Sequence, residues 1–272
     1  MRTDLATESR AANPKLRGVT ETVREENGLV CERITVRTEA AARRLDKPIG
    51  RYFSVTMPRE TLFERDRLTR AAQFAAEELS ALLPETGTVL VVGLGNRYIT
   101  ADALGTKTAE HILVTRHLRR AFLDVLPPDT RPVCSFCAGV LGVTGIETVE
   151  IVSAVAARLR PAAMVVVDSL AADVPEHLAT VLQMNDTGIA PGAGVGNFRA
   201  VLNRETTGIP VIALGMPLVV GASALGGNAA EELFVTPKDV DLIVKNASKL
   251  LAETVNRALH AKNLSVLQNL LQ

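Results

Sequence analysis

Short apolar runs alternate with helical patterns over much of the chain after residue 87. Six runs are nearly continuous in apolar residues, which is typical of strands covered on both faces of a sheet. They are TVLVVGLG (88–95), HILVT (111–115), PVCSF (132–136), AAMVVVDSL (162–170), TVLQMND (180–186) and IPVIALG (209–215). GIETVEIVSAVAARLRP (145–161) lies between two of these runs and predicts a crossover helix. The alternation predicts an α/β fold.

Patterns on either side of this region predict further elements. LVCERITVRT (29–38) alternates enough for a strand, and RYFSVTM (51–57) is expected to pair with it. Apolar residues at helical spacing predict a helix over 58–84, with a proline at each end. Residues 236–260 predict a long helix with Thr236 as its N-cap and one face on the sheet. That face consists of Val240, Ile243, Val244, Ala247, Leu250, Leu251, Val255 and Leu259.

The first residues predict a separate arm. Residues 1–27 look extended and partly helical, and the polar stretch 3–18 offers little apolar surface. We therefore expect this arm to move freely until something docks it. No repeat, linker or low-complexity tract divides the chain, so residues 1–272 are expected to form a single α/β domain.

Composition narrows the classes of function. The 30 basic residues balance the 30 acidic ones and Trp is missing, which argues against direct nucleic-acid binding. The N-terminus has no apolar signal segment, and Pro and Gly interrupt the longest apolar runs, so neither export nor a membrane span is expected. Three cysteines cannot complete a disulfide framework, which favours the cytoplasm. Catalysis is the better starting hypothesis.

The stretch VVGLGNRYITADALG (91–105) follows the first apolar run and has two interpretations. A dinucleotide-binding loop needs a third small residue where Tyr98 stands, and an acid after the next strand, which is missing. The alternative is a tight turn at the carboxyl end of a strand that positions Asp102. Thr100 or Asp102 could also simply cap the following helix.

A second acid, Asp168, ends the run AMVVVD and therefore also lies at the carboxyl end of a buried strand. Ligands bind at this edge in open α/β sheets. Repulsion between two carboxylates there would keep one protonated and one ionised, as general acid and general base require. The same pair could instead hold a divalent metal that activates water.

Other candidate groups are weaker. Cys134 and Cys137 have zinc-like spacing, but no second pair of ligands follows. Ser223 lacks the closing glycine of a nucleophile elbow, and His117 is expected to face solvent. The glycine-rich segment 186–197 could bind an anion or line a peptide groove with its N–H groups, or form a plain loop.

Several long stretches occur in the same order as in one known family. They are RTDLA (2–6), GLGNRYITADALG (93–105), TRHL (115–118), GVTGIETVEI (142–151), DSLAA (168–172), DTGIAPGAGVGN (186–197), GIPVIALGMP (208–217) and ELFVTPKDVDLIVKNASKLLAETVNRALH (232–260). Over nearly the whole chain they resemble the germination protease family of spore-forming bacteria.

This resemblance implies an endopeptidase that starts the degradation of small acid-soluble spore proteins in the spore core during germination. The family cleaves after an acidic residue and before an apolar one, is made as a zymogen and assembles as a homotetramer. Its fold is a three-layer α/β/α arrangement with a mostly parallel central sheet, similar to hydrogenase-maturation endopeptidases.

The resemblance also implies roles for individual residues. The family's proposed catalytic aspartates fall on ADALG and DSLAA, that is, on Asp102 and Asp168, the acids selected above from their strand-end positions. The residues expected to bind substrate are Asn96, Asp186, Gly192, Gly194, Gly196 and Asn197. No cofactor is expected, with a divalent metal as the open alternative.

The chain departs from the family pattern at Gly221, where an aspartate is expected, and begins almost directly at RTDLA, so we expect activity without removal of a prosegment. Two alternatives remain: a metal-dependent maturation-type endopeptidase on the same fold, and a non-catalytic paralogue that binds spore proteins.

The terminal stretch 264–271 predicts contact with a second copy in a homo-oligomer. Its leucines are Leu264, Leu267, Leu270 and Leu271.

Overall fold

The described residues fold around one mixed sheet. The structure, a computed structural model, describes residues 3–118, 126–127, 129–191, 200–225 and 233–271. The strands are β1 Val19–Glu26, β2 Leu29–Val36, β3 Gly50–Thr56, β4 Val89–Gly93, β5 Val133–Cys137, β6 Ala163–Ala172, β7 Val181–Asn185, β8 Val211–Gly221 and β9 Phe234–Val235. The helices are α1 Ala6–Ala11, α2 Glu39–Leu45, α3 Arg65–Ser80, α4 Leu104–Ala109, α5 Leu141–Thr144, α6 Thr148–Leu159, α7 Arg204–Thr207, α8 Val240–His260 and α9 Leu264–Leu271.

The sheet has a parallel half and an antiparallel half. The strand order is β1-β2-β3-β7-β8-β6-β4-β5, and β9 pairs with the end of β8. β5, β4, β6 and β8 run parallel to one another, whereas β7, β3, β2 and β1 add antiparallel strands beyond β8. The predicted α/β fold with a central parallel sheet is confirmed. Its parallel half contains β4, whose end precedes Asp102, and β6, which continues to Ala172, so the prediction that Asp168 ends its strand was wrong.

Helices cover both faces of the sheet, which gives three layers. On one face α3 and α8 pack over Val165 and Val167 of β6. On the other face α6 contributes Val152 and Ala156 to a second apolar cluster with β4 and β6. α1 and α2 cover the antiparallel strands β2 and β3. In the part of the chain that the structure describes, no helix has the length and apolar content needed to cross a bilayer.

Most predicted strands are present, but HILVT (111–115) is not a strand. The side chain of Asn256 in α8 accepts a hydrogen bond from the N–H of Leu113 at 2.9 Å and donates one to the carbonyl of His111 at 3.0 Å. These backbone groups are therefore satisfied by a side chain from a distant helix. An apolar run does not reveal such a partner, so the strand prediction was wrong here.

Both long helices begin later than predicted. α3 starts at Arg65, after a separate 3-10 turn over Arg59–Leu62. α8 starts at Val240, because β9 keeps the preceding chain extended and a turn closes between the N–H of Val240 and the carbonyl of Pro237. The prediction of Thr236 as N-cap is therefore wrong. The predicted apolar face is confirmed: Ile243, Val244, Ala247, Leu250, Leu251, Val255 and Leu259 are all buried.

The N-terminal residues are docked on the sheet. Leu5 is completely buried in a cluster with Leu170. The N–H of Asp4 donates to the carbonyl of Ala171 at 3.0 Å. Further along, β1 pairs with β2 over its whole length. The expectation of a freely moving arm was wrong, because the partners that hold these residues lie far away in the sequence.

Candidate active site

The turn after β4 fixes the position of Asp102. Gly95 has φ +91°, and a Cβ atom there would lie 1.9 Å from the carbonyl oxygen of Asp102, so the turn accepts only glycine at this point. Asp102 ends a 3-10 turn over Thr100–Asp102. Its Oδ2 accepts a hydrogen bond from the backbone N–H of Asn96 at 2.7 Å. The turn thus holds the partly exposed carboxylate of Asp102 back against β4.

Asn96, one of the expected substrate-binding residues, contributes to this turn with both its backbone and its side chain. Its Oδ1 accepts a hydrogen bond from the N–H of Tyr98 at 3.0 Å. The Tyr98 side chain is strongly exposed, as is that of the next residue, Ile99. The observed contacts of Asn96 therefore shape the turn that carries Asp102.

Asp168 lies within β6 and is only 5% exposed. Its Oδ1 accepts a hydrogen bond from the N–H of Ser169 at 2.9 Å. In the neighbouring strand β8 the partner of Asp168 is Gly215, and a Cβ atom at Gly215 would lie 2.5 Å from the Asp168 carbonyl oxygen. β8 therefore has no side chain at the position that pairs with Asp168.

The two acids lie at the same edge of the parallel half. β4 and β6 are adjacent, Gly93 pairs with Val167, and the N–H of Leu94 donates to the carbonyl of Val167 at 2.9 Å. Asp168 is the next residue after Val167. The Thr100–Asp102 turn lies against both β6 and β8. These backbone contacts thus place two acidic residues that are 66 positions apart in the sequence at the same edge of the parallel half.

A cavity of about 190 Å³ lies between the docked N-terminus and the sheet, and its lining residues do not include Asp102 or Asp168. Leu170 and Gly215, both neighbours of Asp168, form part of its wall. Gln183 of β7, the partner of Gly215 on the far side, forms another part. The cavity offers apolar surface together with amide groups, a combination that suits an extended polypeptide.

Asp186, another expected substrate-binding residue, is directed elsewhere. Its Oδ2 lies 2.7 Å from Nε of Arg51, and its Oδ1 accepts the backbone N–H of Arg51 at 2.8 Å. β7 runs antiparallel to β8, so its last residues lie toward the opposite edge from Asp168. Asp186 therefore anchors the start of β3. The remaining expected residues, Gly192, Gly194, Gly196 and Asn197, lie outside the described residues.

The weaker candidates form no joint site. Sγ of Cys134 and Sγ of Cys137 each contact a backbone carbonyl at 3.7 Å, and burial raises the pKa of both thiols. Ser223 lies in a 3-10 turn, and His117 is exposed. Among the residues that the structure describes, no group of three or more His, Cys, Asp or Glu side chains could hold a metal ion.

Gly221, where the family pattern has an aspartate, is the last residue of β8 and pairs with Phe234 of β9. It lies six residues beyond Gly215, which corresponds to roughly 20 Å along a strand. An acid at this position would therefore lie well away from the level of Asp168.

Sequence reasoning missed Gln183 and Glu8, which hold the N-terminus beside the candidate site. Gln183 is 4% exposed, accepts the N–H of Ala6 at 2.6 Å and donates to the carbonyl of Asp4 at 2.7 Å. Glu8 accepts hydrogen bonds from the N–H groups of Asp173 and Val174. The one available signal was a glutamine inside the apolar run TVLQMND, since a buried amide needs partners.

The family model and the curated relatives name one family, and a solved structure of another protein also aligns. A family model described as germination protease matches residues 1–231. A germination protease from Clostridium perfringens strain 13 is 36% identical, with 95% of each chain covered, and one from Caldanaerobacter subterraneus is 34% identical, covering 95% of this chain and 94% of the relative. The hydrogenase maturation protease HycI from Thermococcus kodakarensis aligns with a TM-score of 0.38 at 19% identity, over 65% of this chain and 98% of that one.

Proposed function

Because this chain belongs to the germination protease family, and is therefore a peptidase, we propose that it starts the degradation of small acid-soluble spore proteins during germination. The proposed reaction is endopeptidase cleavage after an acidic residue and before an apolar one, in the cytoplasm of the spore core. Support comes from the extent of the match, since relatives carrying this name cover 95% of the chain.

The observation that carries the proposed mechanism is the meeting of Asp102 and Asp168 at one sheet edge. Two carboxylates in one site do not both ionise easily, so one proton is shared between them. The ionised carboxylate accepts a proton from water as the oxygen attacks the peptide carbonyl. The protonated carboxyl gives its proton to the leaving nitrogen as the C–N bond breaks. The pair ends with the same single proton, and the products are a carboxylic acid and an amine, which then exchange a proton to become a carboxylate and an ammonium group.

Substrate is proposed to lie along the cavity whose wall includes Leu170 and Gly215, two neighbours of Asp168. An extended chain there would be held through its backbone groups and by apolar contact with Leu170. Gly192, Gly194, Gly196 and Asn197, which lie outside the described residues, are proposed to bind the substrate, as the family resemblance implies.

The mechanism predicts that D102N and D168N each lower kcat by on the order of 10²–10⁴ while the fold persists, because positioned proton transfer is lost. Freshly purified full-length protein is incubated with an acidic spore protein, and the products are mapped by mass. D241N, at an exposed site in the first turn of α8, is the matched control. Full activity in both folded variants would contradict the mechanism.

The same assay separates the remaining alternatives. The mechanism predicts cleavage that a chelator leaves unchanged; loss of cleavage with chelator and its recovery with a divalent metal would replace the proton-sharing pair by a metal-dependent reaction. Binding of the spore protein without any cleavage would indicate a non-catalytic paralogue.

A further inference from the structure

We infer that Gly105 is a positioning residue that sets the separation between Asp102 and Asp168. This inference rests on the proposed function, since it assigns Gly105 a role in the proposed pair. Gly105 is the second residue of α4 and is buried. In this role it touches neither a reacting atom nor the substrate. It acts by letting α4 approach the chain at Leu94 and Val167 closely.

The contact at Gly105 leaves no room for a side chain. A Cβ atom there would lie 2.1 Å from the carbonyl oxygen of Val167, 2.6 Å from that of Leu94 and 2.7 Å from the nitrogen of Leu94. All three neighbours are backbone atoms, so none can rotate away as a flexible side chain would. Any larger residue must therefore move α4 away from the strand ends.

The atoms in contact with Gly105 are the ones that join the two halves of the site. The carbonyl of Val167 accepts the N–H of Leu94 at 2.9 Å, which links the end of β4 to β6. Asp168 follows Val167 directly, and Asp102 lies three residues before Gly105, in the turn that leads into α4. A shift of α4 at Gly105 therefore changes the distance from Asp102 to Asp168.

The size of the expected shift decides the expected effect. Moving a Cβ atom from 2.1 Å to ordinary contact requires a displacement of more than about 1 Å, and a misplacement of about 1 Å costs on the order of 10² in rate. The loss should fall on kcat, because the cavity wall at Gln183 and Gly215 is built by other strands.

The interaction between two carboxylates also weakens with distance. The acidic and basic limbs of the pH profile of kcat should then move closer together.

The test compares G105A with G142A on the spore-protein substrate. Gly142 lies in α5, and a Cβ atom there meets nothing within 4 Å, so G142A should behave as wild type. We expect G105A to be folded by circular dichroism, with kcat lower by about 10², KM within about twofold, and a narrower pH profile. A kcat equal to that of G142A, or a loss confined to KM, would overturn the inference.

A second variant covers the case in which G105A does not fold. In G93A the new Cβ would lie 2.4 Å from the carbonyl oxygen of Gly105, which pushes α4 from the β4 side. The same kcat loss and pH change are expected for it. If neither variant folds, the contact serves the fold as a whole and the inference is overturned. Active D102N and D168N would instead contradict the proposed function, whereas inactive aspartate variants beside a fully active G105A would contradict the positioning role alone.

Discussion

Glu78 and Asp168 are carboxylates that lie almost completely inside the protein, and their surroundings differ. Both oxygens of Glu78 accept hydrogen bonds at 2.7 Å from Arg33, and Arg24 adds a third at 3.1 Å. Although burial pushes the pKa of Glu78 up, these guanidinium groups hold it below its ordinary value. Asp168 accepts the N–H of Ser169 and lies within β6, against which the Asp102 turn packs. The first carboxylate stabilises the packing of α3 on the sheet, and the second lies where a peptide can reach.

E78Q should lower the free energy of unfolding at pH 7 by about 2–3 kcal/mol. This loss is smaller than that for an ion pair with both partners fully buried, because water can solvate the half-exposed Arg24 and Arg33. Since the folded-state pKa of Glu78 is lowered, its contribution is present above the unfolded pKa and is lost as the pH falls through the folded one. Urea unfolding measures the difference, with E25Q at an exposed position of β1 as the control. Equal stability of the two variants would contradict this role for Glu78.

The sequence identifies the residues of the proposed pair better than it identifies their spacing. Asp102 and Asp168 can be selected because each follows or ends an apolar run that predicts a parallel strand. The close approach at Gly105 cannot be predicted in this way. It depends on a backbone contact with Val167, a residue 62 positions further along the chain. A glycine at the start of a predicted helix gives no sign of such a contact.

At the scale of elements, α1 is held to the chain after β6 by a clasp, which we define as Glu8 with Asp173, Val174 and His177. The Glu8 carboxylate accepts the N–H groups of Asp173 at 2.8 Å and Val174 at 3.0 Å, and it contacts Nδ1 of His177 at 2.5 Å. The hydrogen bond to Glu8 raises the pKa of His177. Burial of Glu8 acts to raise its pKa, but the hydrogen bond from His177 and the backbone donors hold it below its ordinary value.

These two shifts define the pH window in which the clasp stabilises the fold. The His177 contribution is complete below the unfolded pKa of histidine and is lost as the pH rises through the raised folded value. The Glu8 contribution is present above the unfolded pKa of glutamate and is lost as the pH falls through the lowered folded value. The clasp should therefore be strongest at about pH 5–6, between the ordinary values of the two groups.

H177Q should accordingly cost more stability at about pH 5.5 than at about pH 8.5, because the contribution of His177 is lost as the pH rises through its raised folded pKa. Urea unfolding of wild type and H177Q at both pH values gives the two differences. H111Q changes an exposed histidine outside the clasp and serves as the control. An equal difference in free energy of unfolding between wild type and H177Q at both pH values would contradict a charged histidine in the clasp.

Local patterns predict the elements and miss their long-range partners. The parallel strands could be predicted because strands covered on both faces are almost wholly apolar. HILVT (111–115) has the same composition, but the N–H of Leu113 and the carbonyl of His111 pair with the side chain of Asn256. The clasp joins Glu8 to a histidine 169 residues away, so the docking of α1 could not be derived from the polar sequence around it.

At the scale of the whole molecule, the C-terminal leucines have two roles. Leu264 and Leu267 of α9 are buried within their own chain, whereas Val266 and Leu270 are 44% and 45% exposed. The exposed pair is spaced i, i+4 and therefore lies on one side of the helix. Among the terminal side chains that the structure describes, this pair remains available to a second copy, whereas the predicted contact cannot use the buried Leu264 and Leu267. The side chain of Leu271 lies outside the described part.

We expect a homo-oligomer, a tetramer by family resemblance, and we expect V266E/L270E to reduce its mass by light scattering at micromolar concentration. The charged side chains would be placed in an apolar contact, which carries a large desolvation cost. S265E, next to the pair on the same helix, is the control for added charge. A wild-type chain that is monomeric under these conditions would contradict the expectation of assembly.

The most direct test of the central claim is to compare D102N, D168N and the double variant under saturating substrate. Groups that act as a unit in one proton transfer have strongly non-additive effects on rate. A shared acid–base pair predicts that the double variant is no slower than the slower of the two single variants, with all three folded. Rate losses that multiply in the double variant would show that Asp102 and Asp168 act independently, and would contradict a shared acid–base pair.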